Sequence, residues 1–124
     1  MDKLLSGRRV LVVEDEMLVA MMIEDMLADL GCQSVTSAAT VDKALALIEA
    51  QVFDAAMLDM NLNGNDSQPV ADALAARGIA FVCSTGNTRH GSRDGYPNRP
   101  VLKKPFKYED LVAILTRLKL APVE

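Results

Sequence analysis

The chain is short of the residues that cross-link small folds. Its 124 residues include two cysteines, Cys32 and Cys83, and a single histidine, His90. Two cysteines cannot build the multi-bridge framework of a small secreted scaffold, and no Cys/His set with zinc spacing is present. Long hydrophobic runs are also missing. No uncharged apolar stretch approaches the roughly 20 residues of a membrane-spanning helix, and the charged, short N-terminal segment does not resemble a secretory signal. These absences together place the chain in a reducing cytoplasm. Positive charge is not in excess: 13 Lys+Arg stand against 17 Asp+Glu, a net charge of -4, which argues against non-specific nucleic-acid binding. What is present is apolar material, 50% of the chain, too much for general disorder. A chain of this length buries roughly two-thirds of its extended surface on folding, so one domain spanning residues 1–124 is expected.

Hydrophobic periodicity supplies the element order. Residues 9–13 (Arg-Val-Leu-Val-Val) are apolar without alternation, the pattern of a strand covered on both faces. Residues 17–30 space Val19, Ile23, Met26, Leu27 and Leu30 at helical intervals, and Gly31 provides a left-handed stop. A weak strand is expected at 33–36 and a helix at 41–50, capped by Thr40. A second apolar strand over 53–58 runs into Asp59. Residues 61–66 read as a turn-rich loop. A helix over 69–77 starts on Pro69 and stops at Gly78; a strand follows at 79–83. The last strand and helix are expected at 100–103 and 108–120. Residues 87–99 occupy the place of a fourth helix, yet their two glycines, one proline and few apolar residues predict a loop or a poor turn. Alternating strands and helices imply a parallel sheet with helices on both faces.

Sites in open parallel sheets form at the carboxyl ends of the strands. Glu14 and Asp15 end the first strand, Asp59 the third, Thr85 follows the fourth and Lys104 the fifth. The topology therefore gathers three carboxylates, a hydroxyl and an ammonium on one edge. Clustered carboxylates repel and need a counter-cation or protons to coexist. All-oxygen ligation suits a hard ion, most simply Mg²⁺. A carboxylate beside such an ion, a lysine and a hydroxyl has the parts needed to accept a phosphoryl group.

Four segments, Val12-Val13-Glu14-Asp15-Glu16, Leu58-Asp59-Met60-Asn61-Leu62, Ser84-Thr85-Gly86 and Leu102-Lys103-Lys104-Pro105-Phe106, in this order and spacing, resemble the receiver domain of two-component response regulators. The resemblance covers essentially the whole chain. It implies an α/β, flavodoxin-like (βα)5 three-layer sandwich with parallel sheet order 2-1-3-4-5, here with helix 4 short, irregular or missing. It implies Asp59 as phosphoacceptor, and Glu14, Asp15, Asp59 and the Asn61 carbonyl as Mg²⁺ ligands. Thr85 and Lys104 would contact the phosphoryl group, with Pro105 aiming the lysine, while Asn61 and Asn87 would tune dephosphorylation. The implied function is a switch in a signalling relay. Phosphate would arrive from the phosphohistidine of a sensor histidine kinase or histidine phosphotransfer protein, and the switch would act on a downstream protein target. Such a domain catalyses its own phosphoryl acceptance and loss and is not a conventional enzyme.

Two departures stand out. The family usually carries Tyr or Phe three residues before the lysine; here the residue is Val101. The poor fourth helix after Thr85-Gly86 resembles an atypical subset whose fourth helix is shortened or disordered, and phosphorylation is expected to order or move residues 85–99. An interaction module that keeps the fold without switching is the alternative reading, supported by Val101. A phosphatase-like hydrolase using Asp59 is a third, weakened by the lack of a cap domain and of a second general acid. Helix one carries Met17, Met21, Met22 and Met26, most of them expected on the core side, with Leu18 and Met22 off the core stripe and available to a partner.

Overall fold

The computed structural model describes residues 4–62, 65–85, 100–103 and 106–118. In chain order the elements are β1 (Arg9–Val13), α1 (Met17–Asp29), β2 (Ser34–Ala38), α2 (Val41–Ala50), β3 (Ala55–Asp59), β4 (Asn61–Leu62), β5 (Asn65–Asp66), α3 (Gln68–Ala76), β6 (Ala80–Thr85), β7 (Val101–Lys103) and α4 (Tyr108–Arg117). Five strands form one sheet of order β2-β1-β3-β6-β7, every neighbouring pair parallel. Counting only these five strands, the order is 2-1-3-4-5, as the resemblance implies. The expected irregular fourth helix, residues 87–99, lies outside the described residues.

The sheet separates two cores, which explains why its strands do not alternate in hydropathy. Leu11, Val13, Ala56, Leu58, Phe81 and Cys83 point to one face, where Ala44 and Ile48 of α2 and Val70, Ala71 and Leu74 of α3 cover them. Val10, Val12, Met57, Val82 and Leu102 point to the other face, under Ile23 and Leu27 of α1 and Leu111, Ile114 and Leu115 of α4. Successive side chains alternate between faces, and here each face meets apolar helices, so both parities must be apolar.

Local chemistry fixes the helix ends. The Thr40 side chain accepts a hydrogen bond from the Lys43 N–H at 3.1 Å and caps α2, satisfying one of the donors a helix start leaves open. Gly78 takes φ +70° just beyond α3, a conformation costly for residues with a Cβ. The Lys107 N–H donates to the Asp110 carboxylate at 2.9 Å at the start of α4.

Some boundaries differ from the sequence reading. β2 runs to Ala38, beyond the expected residue 36, because it is an edge strand whose pairing with β1 extends to Val13↔Ala38. β6 extends to Thr85 because β7 supplies a partner up to Thr85↔Lys103. Within the expected loop at 61–66, Asn61↔Asp66 and Leu62↔Asn65 pair antiparallel. Two-residue strands are too short to leave a periodic signal.

The methionines of α1 are the clearest correction. Met17, Leu18, Met21 and Met22 are all exposed, Met17 and Leu18 at 76% and 80%, and only Met26 packs against the core. The helix lies on the sheet along a narrow stripe of Ala20, Ile23 and Leu27, which leaves most of its thioethers outside. The cysteines sit on opposite sides of the sheet, Cys83 within one core and Cys32 packed against the other, so they cannot bridge. Burial pushes the Cys32 thiol up to about 11, leaving little thiolate at neutral pH.

Candidate functional site

The sheet register assembles the site. Val13 pairs with Leu58 and Leu58 with Cys83, so the next residue of each strand, Glu14, Asp59 and Ser84, forms one row at the carboxyl edge. Strand parity sets their direction. Val12, Met57 and Val82, two residues earlier, all lie in the core under α1 and α4, and the row points to that same side. All three residues are buried, Glu14 at 3%, Asp59 at 6% and Ser84 at 2% exposure. Asp15, one position beyond Glu14, is half-buried.

Carboxylate oxygens of Glu14, Asp15 and Asp59 all lie within 4.8 Å of one another. This is the convergence expected from strand ends far apart in sequence. Backbone groups hold the cluster in place. The Glu14 N–H donates to the Ala38 carbonyl at 3.0 Å, and the Glu14 carboxylate accepts from the Glu16 N–H at 3.2 Å, next to the positive end of α1. The Met60 N–H donates to the Ser84 carbonyl at 3.0 Å, which locks β3 to β6 just past Asp59. The β4–β5 pairing then anchors the backbone of Asn61 beside the cluster.

Thr85 is buried at the last position of β6 and pairs in register with Lys103. Lys103 itself is exposed, and Lys104, Pro105 and Asn87 lie outside the described residues. Val101, opposite Cys83, is 39% exposed, so the position where the family usually carries a ring is a small apolar surface here. The sequence reading did not single out Ser84. The signal was available as parity: two residues on from Val82, on the strand beside Asp59.

The donor set is made of carboxylates alone, without nitrogen or sulfur, and closely spaced anionic oxygens fit a hard divalent cation. A carboxylate at the carboxyl edge of a parallel sheet, inside such a cluster, stands where ligands of such sheets bind and where a cation could offset phosphoryl charge. Residues 10–116 match the family described as the response regulator receiver domain.

The chain belongs to that family. SdrG from Pseudomonas melonis Fr1, in its BeF3-activated conformation, is 45% identical, with a TM-score of 0.75 and coverage of 90% of this chain and 95% of that one. The receiver domain of a sensor histidine kinase from Pseudomonas aeruginosa PAO1, with a magnesium ion coordinated in its active-site cleft, is 31% identical, with a TM-score of 0.77 and coverage of 90% and 97%. The transcriptional regulatory protein PdtaR of Mycobacterium tuberculosis is 30% identical over 110 residues, which make up 85% of this chain and 53% of that protein. The chain thus spans about half the length of this curated relative. Like other receiver domains, it carries an acidic cluster suited to magnesium-dependent phosphoacceptance and switching, a change made on itself and not the turnover of a conventional enzyme. Among the described residues, no helix is long and apolar enough to cross a membrane.

Proposed function

We propose that the chain, over residues 1–124, is a receiver in which Asp59 accepts a phosphoryl group from a phosphohistidine of a sensor histidine kinase or histidine phosphotransfer protein, in the cytoplasm. The observation that carries this reading is the convergence of the Glu14, Asp15 and Asp59 carboxylates within 4.8 Å at the carboxyl edge of the sheet. Asp59 is the nucleophile because it stands at the end of the central strand β3, between Glu14 and Ser84. One of its carboxylate oxygens attacks phosphorus; the P–N bond to the imidazole breaks and the imidazole nitrogen takes up a proton. The product is an acyl phosphate, which water hydrolyses back to the carboxylate and inorganic phosphate.

Glu14, Asp15, Asp59 and the main-chain carbonyl of Asn61 are the ligands for Mg²⁺. The ion, when bound, supplies positive charge against the phosphoryl oxygens and the carboxylate cluster. Thr85 and Lys104 are assigned to two of the phosphoryl oxygens, Thr85 donating through its hydroxyl and Lys104 through its ammonium. The change of charge at Asp59 then alters a protein-binding surface. The similarity to SdrG, which has a BeF3-activated conformation, supports a switchable domain. The exposed Val101 favours the second reading, an interaction module without the usual aromatic relay.

The test is intact mass after incubation with acetyl phosphate, with and without Mg²⁺, beside Asp59→Asn. The expected result is one Mg²⁺-dependent, base-labile phosphoryl adduct that is absent from the variant. A wild-type protein that takes no adduct from acetyl phosphate or from a panel of phosphorylated kinases would refute this function and leave the non-switching module.

A further inference from the structure

The three carboxylates of the cluster are not held alike. Glu14 is buried, its N–H tied to the Ala38 carbonyl of β2 at 3.0 Å and its carboxylate to the Glu16 N–H at 3.2 Å. Asp15 is half-buried and next to solvent. The donor of the second bond sits at an unusual place. Glu16 opens α1 with φ −90° and ψ 113°, and its side chain makes no capping hydrogen bond; it is exposed instead. Its carbonyl accepts the Ala20 N–H at 2.9 Å and starts the helix. No acidic residue occupies the first turn of α1. The negative charge that a helix start favours comes from Glu14, two residues outside the helix.

We infer that Glu16 is a positioning residue for the cation site, acting on Glu14 through its main-chain N–H and not through its carboxylate. The bond fixes the side-chain torsions of Glu14, and with them the oxygen that comes within 4.8 Å of the Asp15 and Asp59 oxygens. A long acidic side chain otherwise loses much rotamer freedom on being fixed, and here that cost is met before the ion arrives. Glu14 thus sets the place of the ion, and the more exposed Asp15 adapts to it. Carboxylate ligands are commonly held by such outer hydrogen bonds. The inference rests on the carboxylate cluster as the Mg²⁺ site and adds a role for the start of α1.

The experiment is an NMR titration with MgCl2 of wild type, Glu16→Ala and Glu16→Pro, repeated for both Glu16 variants in a Glu14→Ala background, with a thermal melt of each. Alanine removes the side chain and keeps the N–H. Proline removes the N–H as well, and the backbone angles of Glu16 lie close to those a proline ring allows. Glu16→Pro binds Mg²⁺ about tenfold more weakly than Glu16→Ala. In the Glu14→Ala background the two bind equally, because the acceptor is gone. Equal affinities in the Glu14 background overturn the inference. So does a difference that persists without Glu14, since proline then acts by bending Asp15 or the helix start. Should Glu16→Pro melt early, hydrogen exchange decides: the Glu16 amide exchanges about tenfold faster in Glu14→Ala than in wild type, and an unchanged rate overturns the inference. Wild-type protein that shows no response to Mg²⁺ overturns the cation-site reading, and the inference with it.

Discussion

Replacing Asp59 by asparagine stabilises the metal-free protein while abolishing phosphoryl acceptance. The carboxylates of Glu14, Asp15 and Asp59 lie within 4.8 Å of one another. At that separation a pair of unit charges repels by about 0.9 kcal/mol in a water-like dielectric and by about 3.5 kcal/mol at an effective dielectric of 20. The neutral amide of the Asp59→Asn variant removes two of the three repelling pairs and keeps the size of the side chain. Asp15 is half-buried and solvent reaches the cluster through it, so the low end applies, a gain of about 2 kcal/mol. For a chain of this length that is a rise of roughly 6–10 °C in Tm. Urea unfolding in excess chelator measures it directly. The same variant then gains less from Mg²⁺ than wild type does, because a ligand that binds the folded state stabilises it by RT ln(1 + [L]/Kd), which falls as binding weakens. Equal stability of the two proteins in chelator, or equal stabilisation of both by Mg²⁺, would refute the argument that these carboxylates form one mutually repelling cation site.

Two further predictions concern the frame that holds the site. Thr40→Ala removes the hydrogen bond from the Lys43 N–H and costs about 1 kcal/mol, seen as a lower melting temperature that Thr40→Ser recovers; no loss in Thr40→Ala would show that the cap contributes nothing. The Tyr108 hydroxyl donates to the Asp29 carboxylate at 2.7 Å and joins α4 to α1; that hydrogen bond, ahead of desolvation and the charge of Asp29, raises the phenol above its ordinary 10.0. Because the folded value is the higher one, the bond contributes fully below the unfolded value and is lost as pH rises through the folded one. The stability difference between wild type and Tyr108→Phe therefore narrows as the solution is taken to alkaline pH, and a difference that stays constant in denaturant titrations would remove the bond from the account.

Much of this was legible in the sequence for identifiable reasons. The apolar runs of β1, β3 and β6 lack alternation because both sheet faces are covered, and that pattern specifies a parallel sheet without any contact information. Carboxylates and a hydroxyl placed just after such runs locate the functional edge, since parallel strands all end on one side. The methionines of α1 show the opposite case. Their spacing is compatible with either face, and the narrowness of the stripe set by Ala20, Ile23 and Leu27 depends on how closely the helix approaches the sheet.

The order of elements, the fold class and the residues that come to the sheet edge are written in the chain itself, because periodicity and strand-end position are local properties. Other features arise only when the elements meet. The extension of β2 and β6 follows from the length of their neighbours, and the β4–β5 pairing exists only as a partnership of two segments too short to announce themselves. The placing of Ser84 beside Asp59 is the sharpest instance. It follows from the register of β3 on β6 together with the parity of both strands, and register is a relation between two strands that neither strand's sequence carries alone.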